Sequence, residues 1–66
     1  MIKLGENLKK EMQKRKLTIK KLSEMSGVSV GSISEITTGK ENNPKLMTVI
    51  NISDALNIPL KDLLGA

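Results

Sequence analysis

Between Ser26 and Lys40 the chain reads SGVSVGSISEITTGK: six hydroxyls, one carboxylate and one ammonium, interleaved with three glycines and four β-branched apolar residues. Such side chains hydrogen-bond well and react poorly. A serine nucleophile needs a neighbouring base, and the chain has no histidine to supply one. It has no cysteine either, which excludes disulfides and thiolate zinc sites. Glu24, Glu41, Asp54 and Asp62 show no paired spacing for acid–base catalysis and read as surface charges. No phosphate-cradling glycine loop occurs. The expectation is a protein that is not an enzyme and takes no cofactor or metal. Short hydroxyl and amide side chains do hold phosphate oxygens well.

Charge points the same way. The 66 residues carry a net +4, with a pI near 9.6. Residues 1–21 hold eight Lys/Arg against two Glu, whereas residues 22–66 hold three Lys against five acids. A basic domain suits an anionic partner such as nucleic acid. The Lys9, Lys10, Lys14 and Lys16 cluster reads as a solvated helix face, and Lys40 is the better phosphate candidate.

These groups need elements to position them. Hydrophobic residues make up 38% of the chain and none is aromatic. A core this small nearly cancels against ordering costs of ~1.5 kcal/mol per residue. The expectation is one all-α domain over 1–66. Leu4, Leu8 and Met12 recur every four residues and predict a helix over about Ile2 to Arg15. Thr18 can cap a second helix, about Ile19 to Ser26, with Leu22 and Met25 as its apolar face and Gly27 just past its end. Ser29 can cap a third, about Val30 to Thr38, with Ile33 and Ile36 inward and Gly39 closing it. Asn43-Pro44 predicts the start of a fourth, with Pro44 first in the helix. Its stripe is Leu46, Val49, Ile50, Ser53 and Leu56, and Asn57 can end it. Pro59 opens a last short helix whose apolar residues are Leu60, Leu63 and Leu64. The four methionines read as core filler. No apolar run approaches the ~18 residues of a membrane span. The N-terminus lacks the apolar heart of a signal peptide. The expected location is the cytoplasm, in contact with the nucleoid.

A helix, a glycine turn, a capping serine and a second helix with small residues at its start form the pattern of a helix-turn-helix. Ile33 and Ile36 anchor the second helix. Val30, Gly31, Ser34 and Glu35 on its outer face are then free to enter a DNA major groove.

With those residues in view, the chain resembles the phage repressor and Cro type of helix-turn-helix domain, the broad XRE-like family. The resemblance covers about Leu4 to Leu64. It rests on Leu8, Leu17-Thr18 with Leu22, Gly27-Val28-Ser29, Ile33, Ile36, Gly39-Lys40, Asn43-Pro44, Leu46, Val49, Ile52, Leu56 and Asp62-Leu63-Leu64. It implies a compact five-helix, lambda-repressor-like fold whose DNA-binding motif is about 19–38. It implies base contacts from Val30, Gly31, Ser34 and Glu35. It further implies phosphate contacts from Thr18, the amide of Ile19, Lys20, Ser29, Thr38, Lys40, Asn42 and Asn43. Free amides at helix N-termini and hydroxyl side chains suit that second role.

Two departures stand out. Members often pair an arginine at the place of Met12 with a glutamate at the place of Thr37, and both are absent here together. Losing one alone would strand a charge at ~3–5 kcal/mol if buried, whereas Met12 can fill the space. The reading helix also starts with Val30 and Gly31, where members often place Gln, Arg or Asn. Val30 can pack on a thymine methyl, and Glu35 can accept from a cytosine amino group. Gly31 would admit a close approach to bases or backbone.

The expected function is sequence-specific binding of double-stranded DNA by a bacterial or phage transcriptional regulator, a repressor in the first instance. The chain shows no ligand-sensing domain, so it would be a small Cro-like regulator or the DNA-binding part of a longer one. A competing expectation is a protein-interaction module on the same fold, such as an antitoxin or a partner of another regulator. Ile58, Leu60 and Leu64 expose more apolar surface than a short terminal helix can bury, which predicts a homodimer on a two-fold operator. The patch is small, so a largely monomeric free protein is compatible with it.

Overall fold

Apolar spacing of three and four residues has one outlet in a chain with no strand-period alternation, and the structure takes it. The computed structural model describes residues 3–65. They form α1 (Leu4–Lys14), α2 (Ile19–Ser26), α3 (Val30–Thr38), α4 (Leu46–Leu56) and α5 (Leu60–Leu64). Leu8, Leu22, Ile33, Ile36, Ile52, Leu56 and Leu63 are fully buried, and Leu4, Met12, Val28 and Val49 complete the core. No described helix is long and apolar enough to cross a membrane.

The main packing contacts run α1 to α3, α3 to α2, α2 to α4, α4 to α5, and α5 back to α1. Five helices thus close a circuit. Asn7 fastens its last link by donating from Nδ2 to the Leu63 carbonyl at 3.0 Å. Gly5 permits the α1–α3 crossing. A β-carbon there would collide with the Ile36 carbonyl oxygen and sit 3.7 Å from that of Thr37. Buried Ser53 disposes of its hydroxyl locally, donating to the Ile50 carbonyl at 2.9 Å.

The differences from expectation have local causes. α1 starts at Leu4 behind Lys3, which makes no side-chain cap, and ends at Lys14 with Arg15 as C-cap. The expected start at Ile2 lies outside the described residues. α4 starts at Leu46, not at Pro44. Pro44 precedes Lys45, whose extended backbone (φ −61°, ψ 145°) makes it the N-cap. Leu46 is therefore the first helical residue. It lies at the end of the Val49–Ile52–Ser53–Leu56 stripe and stays 65% exposed. The core-filler expectation holds for Met12 but fails for Met25 and Met47, which are 45% and 61% exposed. Met25 follows Leu22 by three residues, yet only Leu22 of α2 is buried, so Met25 is not part of the α2 core face. Met1 lies outside the described residues.

Candidate nucleic-acid interface

Each helix of the α2–turn–α3 unit is capped at its start by a hydroxyl side chain. Thr18 Oγ1 accepts from the Lys21 amide at 3.0 Å, the bond an N-cap makes to an orphan amide of the first turn. Ser29 Oγ does the same for the Ser32 amide at 3.2 Å, and its own proton goes to Ser32 Oγ at 2.9 Å. Between them Gly27 takes the left-handed conformation, φ 76°. The Ser26 hydroxyl ties the turn by donating to the Leu22 carbonyl at 2.7 Å and accepting from the Val28 amide at 3.1 Å. Val28 plugs the turn into the core.

α3 is anchored by Ile33 and Ile36, with 0% and 1% of their surfaces exposed. That leaves Val30, Gly31 and Glu35 exposed and Ser34 half-buried. A β-carbon on Gly31 would meet nothing within 4 Å, so nothing inside the folded chain requires a glycine there. Gly39 ends α3 at φ 84°. Thr38 Oγ1 donates to the Ser34 carbonyl at 3.0 Å. Lys40 Nζ lies 3.7 Å from Glu35 Oε2.

The expected contact residues fall on neighbouring elements. Thr18, Lys20, Ser29, Thr38, Lys40, Asn42 and Asn43 are all exposed, and Ile19 is half-buried against the core. Two of the hydroxyls, those of Thr18 and Ser29, are engaged as caps. Their structural role is therefore independent of any ligand.

The fold has solved counterparts. The restriction-modification controller protein C.AhdI from Aeromonas hydrophila superposes with a TM-score of 0.86 over 94% of this chain and 92% of that one, at 22% identity. The helix-turn-helix family model matches residues 8–63. The chain belongs to the helix-turn-helix family. The HTH-type transcriptional repressor RghR of Bacillus subtilis (strain 168) is 42% identical over 60 residues, which are 91% of this chain and 44% of that protein. The uncharacterized HTH-type transcriptional regulator RghRB of the same organism is 36% identical over 62 residues, 94% of this chain and 45% of that protein. The chain spans less than half the length of either of these curated relatives. The relatives that carry this domain are named as a transcriptional repressor and a transcriptional regulator.

Beside the expected contact residues lie Lys3, which sequence reasoning passed over, and Lys9, which it read as part of a solvated face. Lys3 and Lys9 of the α1 side share a groove with Thr38, Gly39 and Asn42, although Glu6 and Glu41 line it too. Leu46 and Leu64 line an open apolar cleft with Leu4, Pro44 and Val49. Ile58, Leu60 and Leu64, expected to form a self-association patch, are all half-buried against the core.

Proposed function

We propose that the domain binds double-stranded DNA sequence-specifically, in the cytoplasm, as part of a transcriptional repressor working on a two-fold operator. One observation carries this reading. α3 is clamped by a capped, glycine-turned joint and two buried isoleucines, while Val30, Gly31 and Glu35 on its opposite face stay exposed. In the proposed complex Val30, Gly31, Ser34 and Glu35 face base edges. The Ile19 amide, Thr18, Lys20, Ser29, Thr38, Lys40, Asn42 and Asn43 face phosphates. Two copies associate through the apolar surface around Leu64. Ile58, Leu60 and Leu64 each contribute only what the core leaves uncovered, and the 65% exposed Leu46 beside Leu64 extends the patch.

Selection from a random duplex pool, followed by titration across salt, tests this. A single preferred motif with log affinity falling linearly in log salt is expected. Binding that is equally weak on all duplexes and insensitive to salt would overturn it.

A second reading has one observation in its favour. Val30, 48% exposed, and Gly31 give the start of α3 no side-chain hydrogen bonds, which suits a protein surface better than a base edge. On that reading the domain is a protein-interaction module, and the same titration shows no DNA binding.

A further inference from the structure

Lys40 stands outside α3 in sequence yet lies beside it in space. Gly39 reverses the chain in the left-handed conformation (φ 84°), and the Glu41 amide then donates to the Glu35 carbonyl at 2.9 Å. That bond folds the backbone around Lys40 back along the last turn of α3 and brings Nζ to within 3.7 Å of Glu35 Oε2. Both side chains remain open to solvent, at 77% for Lys40 and 49% for Glu35. An exposed pair contributes little to folding. It does place an ammonium beside the only carboxylate in α3 and so changes the charge that the outward face presents.

We infer that Lys40 is a positioning residue for sequence choice and acts through Glu35. The inference rests on the reading that α3 is the recognition helix. A lone carboxylate in a major groove is repelled by the phosphates on both sides and is free to rotate away. Beside an ammonium, it forms a pair that as a whole carries no net charge, and one carboxylate oxygen faces Nζ. The other oxygen is left to accept from a base-edge amino group, the contact by which acidic side chains select cytosine. This role is separate from any phosphate contact that the remaining Lys40 donors make, because it is felt at one base pair and requires Glu35.

The test is a double-mutant cycle on base preference. Wild type, Lys40→Met, Glu35→Gln and the double variant are each titrated on the selected duplex and on its full set of single base-pair substitutions. Circular dichroism confirms that all four are folded. Both single variants should lose preference at the same base pair by about fivefold or more, the low end for one good base contact. The double variant should lose no more than either alone. Suppose instead that Lys40→Met weakens every duplex by one common factor in both backgrounds and flattens the salt slope by about one. Lys40 is then a phosphate contact only and the inference is overturned. An unchanged preference profile in Lys40→Met overturns it equally. Failure of the wild type to bind any duplex removes the DNA reading itself, and is seen before any variant is compared.

Discussion

Gly5 and Gly31 are one residue type in two opposite situations. Each lies in the first turn of a helix, where glycine is a poor choice by propensity. At Gly5 the missing β-carbon is what lets α1 cross α3, because the Ile36 carbonyl fills its place. At Gly31 the place is empty. Gly31→Ala should therefore raise stability, by up to ~1 kcal/mol. Gly5→Ala should lower it by ~1–3 kcal/mol, since a backbone carbonyl cannot step aside as a side chain can. Thermal unfolding of the two variants reads the difference in sign. If close approach to DNA is why position 31 is glycine, the stabilised variant will also bind its operator less well. Equal binding would make Gly31 merely tolerated. Ile36→Ala serves as a control for core damage and should cost ~2–5 kcal/mol. Glu35→Gln removes a charge that phosphate repels, so titrations on mixed-sequence duplexes should show tighter binding while preference at the contacted base pair falls.

At the scale of elements, legibility followed punctuation. The bounds of α2 and α3 read correctly from the sequence because a hydroxyl cap opens each and a left-handed glycine closes each. Thr18→Ala and Ser29→Ala should each cost ~1 kcal/mol, measured by denaturant unfolding, since the caps are made by those hydroxyls. The starts of α1 and α4 read less well. Lys3 and Lys45 make no side-chain cap and so carry no sequence mark, and Pro44 marked the wrong residue. Exposure of Met25, Leu46 and Met47 was illegible for another reason. An apolar residue shows that a face could be buried, and only the packing of the other helices shows whether it is. Within the candidate site, the α3 outward face was legible from the 33/36 spacing. The Glu35–Lys40 pair was not, because a turn through Gly39 brings together residues that no helical period relates.

The whole molecule has a basic N-terminal third, an outward α3 and an apolar cleft near the C-terminal helix, which together define how it should assemble. If two copies meet around Leu46 and Leu64, Leu46→Asp should abolish paired half-site protection in footprints while leaving the monomer folded. Half-sites should lie ~34 Å apart, one helical turn of DNA. A single protected half-site with the unaltered protein at saturation would count against the dimer.

The circuit of contacts has a consequence for motion. Each helix is held chiefly by two others, and Asn7 and Leu63 join positions 56 apart in sequence. The closed circuit predicts that no helix melts while the remainder stands. Amide protons of α1 and α5 should then exchange with solvent only when the entire domain opens, with the same free energy as those of α4. Terminal helices that exchange orders of magnitude sooner would instead describe a core with loose ends. Uniform protection would also mean that damage in α5, remote from α3, lowers occupancy of an operator simply by emptying the folded population.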